Sequence, residues 1–211
     1  MNNRDYKNFA SGNILHIYNR GNNKEKIFFD NQDHTAFLFR LGLCLGFTEE
    51  ELNKEKLTSM PYSRIRITGT VKGDFKLHAF CLMPNHFHLL IEQTKDVPIS
   101  KLISKLCTSY SKYINKKYKR VGHVFQDKFK AVLIQNNPQL MWISAYMHMN
   151  PVKAKMTQHP REYPWSSYID FINKRNLTIL SKDLIMSTFD EKDFEQETLE
   201  LCKEGTVKDG L

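Results

Sequence analysis

Apolar and polar residues alternate with period two along Asn13-Ile-Leu-His-Ile-Tyr-Asn-Arg20, as in a half-buried strand. The run stops at the turn-forming cluster Gly21-Asn22-Asn23. The period then changes: Asn31-Gln-Asp-His carries capping chemistry, and Phe37, Leu38, Leu41 and Leu45 recur at helical spacing, which predicts a helix to about Phe47. The charged stretch Thr48 to Ser63, with Met60-Pro61 inside it, predicts a loop containing a short helical piece. Two strands follow, Arg64 to Val71 and Lys76 to Leu82, separated by Lys72-Gly73-Asp74; Met83-Pro84-Asn85 turns the second into a further strand beginning at His86. From Pro98 to Arg120 the positions Leu102, Ile103, Leu106, Tyr110, Tyr113 and Ile114 keep a helical period, with lysines on the other face. Another strand is expected within His123 to Ile134, and Pro138 opens a last core helix, Gln139 to about Asn150. Asn150-Pro151 ends or kinks that helix, because the residue before proline is pushed out of the α region.

This order of elements predicts an α+β fold: a ferredoxin-like antiparallel sheet with helices packed on one face, plus a helical C-terminal appendix. With 211 residues, 41% of them hydrophobic, the chain can bury one sizeable core, and no Pro/Gly/Ser-rich linker divides it. Residues 1–172 are therefore expected as one domain and 173–211 as the appendix, where Leu180, Leu184, Ile185, Phe189 and Phe194 supply the apolar positions of one or two helices. Many unrelated functions use such a fold, so it decides none of them.

Cys44, Cys81, Cys107 and Cys202 are scattered without a Cys-x-x-Cys pair, which disfavours a zinc ribbon or a disulfide framework and suits reduced thiols. The polar start and the lack of a long apolar run lead to the expectation of a cytoplasmic protein.

Charge narrows the partner. Lysine and arginine number 31 against 23 acidic residues, a net charge of +8, and the positive charge gathers between Lys112 and Arg120 and again at Lys128, Lys130, Lys153 and Lys155. A surface of that kind attracts polyanions.

Candidate chemistry centres on Asn85-His86-Phe87-His88-Leu-Leu-Ile-Glu92. Residues two apart on a strand share a face, so His86 and His88 would present two imidazoles side by side while Phe87, Leu89 and Ile91 enter a core. That is half of a metal site, and it needs a further ligand from elsewhere. On the last core helix Tyr146 and Asn150 lie four apart and share a face, so a nucleophilic phenol and an amide oxygen could approach one cation together. Taken singly, a tyrosine on a core helix is more often a packing residue, and an asparagine before proline more often a helix terminator.

Taken together, His86-Phe87-His88, then Gly122-His-Val-Phe-Gln-Asp-Lys-Phe-Lys130, then Tyr146-Met-His-Met-Asn-Pro-Val-Lys153 and Tyr163-Pro-Trp-Ser-Ser167, resemble the single-tyrosine HUH transposases, and most of all the REP-associated tyrosine transposases. The resemblance runs from about Ile14 to Tyr168. It implies that His86 and His88 bind a divalent cation, Mg²⁺ or Mn²⁺, that Asn150 completes the coordination, and that Tyr146 is the nucleophile. Asp127 stands where relatives more often have glycine, and Met147 and Met149 replace branched apolar residues; neither change removes a reactive group. Tyr110, Tyr113 and Tyr118 are the other tyrosines to weigh, but only Tyr146 occupies the family motif.

The implied activity is metal-dependent cleavage and rejoining of single-stranded DNA near hairpins through a 5′-phosphotyrosine. It needs no nucleotide cofactor, in keeping with the lack of a Gly-x-x-x-x-Gly-Lys loop. Arg20, Lys116, Lys117, Lys119, Arg120, Lys128, Lys130 and Lys153 are candidates for backbone contacts, with Tyr118 or Phe129 able to stack on bases. The protein would act as a monomer or a homodimer. The rival readings are a catalytically lapsed hairpin-binding module and a phosphodiesterase that uses water in place of tyrosine.

Overall fold

The structure is a computed structural model that describes residues 9–58, 70–189 and 194–205. Strand β1 (Asn13–Arg20) leads through a turn into helix α1 (Asn31–Cys44) and the short α2 (Glu49–Lys54). Strands β2 (Phe75–Met83) and β3 (His86–Gln93), helix α3 (Ile99–Lys117), strand β4 (Lys130–Leu133) and helix α4 (Asn137–Lys153) follow. The shorter α5 (Tyr168–Phe171) and α6 (Asp183–Met186) and the terminal α7 (Phe194–Gly205) complete the order. The four strands form one antiparallel sheet in the order β2-β3-β1-β4, the ferredoxin-like arrangement expected from the sequence.

Local chemistry sets the boundaries. α1 starts at Asp30, whose carboxylate accepts from the Asp33 N–H while the Asp33 carboxylate accepts from the Asp30 N–H, a reciprocal cap. α3 buries Ile99, Leu102, Ile103, Leu106, Tyr110, Tyr113 and Ile114, the helical stripe seen in the sequence, and with α1 it covers one face of the sheet. That face contributes Leu15, Ile17, Leu77, Phe80, Leu82, Phe87, Leu89 and Ile91. Each such side chain, once fully buried, stabilises the fold by about 1.5–3 kcal/mol.

The other face is also covered. Ala79, Cys81, Met83 and Leu90 pack under Leu140, Ile143 and Met147 of α4, joined by Tyr168, Phe171, Ile185 and Phe194 from the segments that follow. The helices on one face are thus α1 and α3, and the last core helix and the C-terminal segments form a second layer opposite them. Residues past 172 return to the sheet: Leu180 bridges to Leu77, and the Ser181 N–H donates to the Leu77 carbonyl at 2.8 Å.

Several expected boundaries move. Only Thr70 and Val71 of the expected strand from Arg64 are described, and they lie in no strand; the rest of that stretch and Met60-Pro61 lie outside the described residues. β4 occupies only the last part of the expected 123–134 strand, since residues 122–129 form a loop held to the end of β1 by the Gln126 N–H, which donates to the Arg20 carbonyl, and by a bridge between Phe125 and Gly21 just beyond the strand. α4 does not stop at Asn150: Pro151 sits in its final turn, and the Ala154 N–H still reaches the Asn150 carbonyl. Proline removes one N–H there, at a helix end where few bonds remain to be lost. β2 carries a register shift between Leu77 and Ala79, so Leu77 and Phe80, three apart, enter the same core.

Candidate active site on the α4 face of the sheet

The turn between β2 and β3 places the two histidines. Pro84 accepts from the Ile27 and Phe28 N–H groups, and the Asn85 carbonyl accepts from the Gly21 N–H at 2.8 Å, so the 21–28 loop clamps the turn from below. Gly21 is required by this approach, because a Cβ at that position would lie 2.1 Å from the Glu25 carbonyl oxygen. The alternation of β3 then turns Phe87, Leu89 and Ile91 to the α1–α3 core and His86 and His88 to the α4 face, where the two imidazoles meet edge to face with centroids 5.0 Å apart.

Antiparallel pairing sets Tyr18 opposite His88 and Arg20 opposite His86. A cleft of about 550 Å³ opens above them. β1 lines it with Tyr18, Asn19 and Arg20, β3 with His86 and His88, the loop before β4 with Gln126, Asp127 and Lys128, β4 with Lys130, and α4 with Tyr146. The Tyr146 ring stands perpendicular to His88 at 6.0 Å between centroids and is stacked on Trp142, one turn earlier, at 5.3 Å. The Lys153 ammonium lies 5.0 Å from the centre of the Tyr146 ring.

Burial keeps the imidazoles neutral. Desolvation, with Arg20 adding to it, lowers His86 to about 4, and desolvation aided by His16 and His86 holds His88 well below the ordinary histidine range. Neutral imidazole is the metal-ligating form. His86 Nδ1 pairs with the Asn85 amide oxygen at 2.6 Å and His88 Nδ1 with His16 Nε2 at 2.9 Å, leaving Nε2 of each ring as the available nitrogen. Two neutral imidazoles steadied from behind fit a divalent cation. Among the described residues no group of three His, Cys, Asp or Glu side chains converges as a metal site.

Asn150 lies one turn beyond Tyr146, as the sequence spacing requires, but its amide Nδ2 donates to the Tyr146 carbonyl at 3.0 Å and it is not among the residues lining the cleft. The basic candidates divide. Arg20, Lys128 and Lys130 line the cleft, and Lys153 stands over Tyr146. Lys116 and Lys119 are exposed at the C-terminal end of α3 and do not line the cleft. Lys117 is turned inward, its ammonium 2.7 Å from both Asp30 and Asp33, and Arg120 pairs with Glu25 at 3.2 Å. Phe129 is buried in the core and has no face to offer a base, while the Tyr118 hydroxyl donates to Asp33. Tyr110 and Tyr113 are buried completely, with Tyr110 donating to the Ile27 carbonyl. Neither can reach a DNA backbone. His16, Tyr18 and Gln126 join the site without having been singled out; the alternation of β1, which puts His16, Tyr18 and Arg20 on one face, was the available signal.

Residues 54–150 match the family described as "Transposase IS200 like". Within it the likeness is to REP-associated tyrosine transposases. A Haemophilus influenzae protein named "Putative REP-associated tyrosine transposase" is 26% identical over 106 residues, 44% of this chain and 59% of the relative, so the chain spans about 59% of the length of that curated protein. The fold matches the solved structure of a REP-associated tyrosine transposase bound to a REP hairpin, with a TM-score of 0.51, 16% identity, and coverage of 88% of this chain and 90% of the other. Among the described residues no helix is long and apolar enough to cross a membrane.

Proposed function

We propose that the protein is a single-tyrosine transposase that cleaves and rejoins single-stranded DNA beside a hairpin, working in the cytoplasm as a monomer or homodimer without a nucleotide cofactor. Residues 1–172 would carry the chemistry and 173–211 would form the helical appendix. The observation that carries the reading is the convergence of His86, His88 and Tyr146 on one cleft whose walls bear Arg20, Lys24, Lys128 and Lys130 against a single acid, Asp127. A binding module would have no need to aim two neutral imidazoles at a tyrosine.

In this reading His86 and His88 would hold Mg²⁺ or Mn²⁺, and Asn150 would join them as the amide ligand once its side chain turned from the Tyr146 carbonyl toward the cleft. The bound cation would supply Lewis-acid polarisation of the scissile phosphate. Tyr146 Oη attacks phosphorus, the bond from phosphorus to the 3′ oxygen breaks, and the proton lost by the phenol is balanced by one gained at the departing 3′-hydroxyl. DNA remains joined to Tyr146 by a 5′-phosphodiester, so attack by another 3′-hydroxyl reseals a strand without ATP. Lys153 favours the negative charge that develops on the phenol oxygen, and Trp142 fixes the ring plane. Arg20, Lys128 and Lys130, with Lys116 and Lys119 farther out, would contact phosphates; Lys117 and Arg120 are held by carboxylates and would contribute only to the overall field.

The experiment is incubation of labelled single-stranded hairpin DNA with Mn²⁺ or Mg²⁺, followed by denaturing electrophoresis. Wild type should give a covalent protein–DNA band that requires the cation and is absent from Tyr146→Phe, His86→Ala and His88→Ala, while native gels still show all three variants binding the hairpin. Cleavage by Tyr146→Phe at the wild-type rate would instead establish a phosphodiesterase that uses water.

A further inference from the structure

His16 of β1 has no part in the chemistry above, yet it touches one of the two histidines that face the cleft. Its Nε2 lies 2.9 Å from His88 Nδ1, the ring centroids are 5.1 Å apart, and the planes differ by 13°. Rings that nearly share a plane and meet nitrogen to nitrogen are hydrogen-bonded edge to edge; face-to-face rings offer each other no N–H. Both side chains are almost wholly buried, with 5% and 6% of their surface exposed. The pairing of β1 with β3 sets Tyr18 opposite His88 and His16 opposite Leu90, so His16 reaches diagonally across one face of the sheet. Tyr18 flanks the pair, 5.2 Å from His16 and 5.9 Å from His88 between centroids.

One proton must be placed on this contact. A neutral imidazole carries a single N–H. If that of His88 were on Nε2, the nitrogen facing the cleft would have no lone pair for a cation. With the proton on Nδ1, His88 donates to His16 Nε2 and its own Nε2 is left as an acceptor. We infer that His16 is a positioning residue whose Nε2 accepts from His88 Nδ1–H and so fixes the tautomer and ring plane in which His88 presents Nε2 to a divalent cation. The inference rests on the reading of His86 and His88 as metal ligands. Ligating histidines are ordinarily steadied by a carboxylate, a backbone carbonyl or water; here a second neutral imidazole does so.

The test is titration of Mn²⁺ alone into the full chain without DNA, with free Mn²⁺ followed by its electron paramagnetic resonance signal. His16→Ala should weaken binding about 10- to 100-fold. His16→Gln, whose Oε1 can take the place of the imidazole Nε2, should restore affinity to within a few-fold of wild type. Wild-type affinity in folded His16→Ala, or equal losses in the Ala and Gln variants, would overturn the role. A nitrogen-15 spectrum of the wild-type protein gives a readout independent of any variant: His88 protonated at Nδ1 supports the proposal, and His88 protonated at Nε2 refutes it. If wild type itself takes up no Mn²⁺, the assignment of His86 and His88 as ligands fails and this role fails with it, a result distinct from a wild type that binds and an Ala variant that binds equally well.

Discussion

The ammonium of Lys117 lies between Asp30 and Asp33, and Asp33 has no exposed surface. Burial works against its charge, but hydrogen bonds to both carboxylates outweigh that and hold the group above the ordinary lysine range. Removing one partner of a buried pair leaves the other charge uncompensated. Lys117→Ala should therefore destabilise the fold by about 3 kcal/mol and change hairpin affinity little beyond what unfolding explains. Lys128, exposed on the wall of the cleft, should behave in the opposite way: Lys128→Ala weakens binding and flattens its dependence on salt without moving the urea midpoint. Equal effects of the two substitutions on the two measurements would contradict this division. A lysine's fate is set by what tertiary packing brings to it, and the i, i+1 run Lys116-Lys117 carries no sign that one member faces Asp33 across more than eighty residues. The opposite holds for His86 and His88, where the period of a strand alone fixes the shared face.

At the scale of elements, α4 matters most because it carries Tyr146. Its anchor is His148, two residues on and buried completely, whose Nε2 donates to Ser167 Oγ at 2.9 Å. Ser167 Oγ also accepts from the Phe80 N–H and donates to the Phe80 carbonyl. The motif Tyr163-Pro-Trp-Ser-Ser167 thus has a structural meaning. It lies along the outer edge of β2, where Leu82 donates to the Trp165 carbonyl and Ser167 to that of Phe80, and it ties α4 to that edge. Ser167→Ala strips His148 of its partner, and should cost about 1–3 kcal/mol and lower the yield of covalent adduct; an unchanged thermal midpoint with full adduct yield would show that the anchor is idle. Strand and helix periods were readable in the sequence, as the matches for β1 and α3 show. The bulge after Leu77 and the passage of α4 through Pro151 were not, because both depend on contacts outside the local pattern.

For the whole molecule, a sheet covered on both faces places several histidines where water cannot reach them. His34 is stacked between Phe28 and Trp165, and burial lowers it to about 4 despite the opposing pull of Asp30 and Asp33. Unfolded, it would titrate near 6.5. Between those values the unfolded chain binds the extra proton, so the contribution of His34 is complete above about pH 6.5 and is lost as the pH falls toward 4. Urea midpoints should decline over that window, and His34→Gln should make the decline shallower by about one proton; identical slopes would contradict the assignment. The ferredoxin-like plan was legible because the order of elements and their periods nearly determine it. The second layer was not: the apolar residues of α4 and the C-terminal segments show that something must be covered, without saying which face.

The central claim is that Tyr146 becomes covalently joined to DNA. Its most direct test is mass spectrometry of the proteolysed product formed with single-stranded hairpin DNA and Mn²⁺. A nucleotide should be found attached through phosphate to the tyrosine of the peptide containing Met141 to Lys153. Attachment at Tyr110, Tyr113 or Tyr118, or cleaved DNA with no modified peptide, would contradict it.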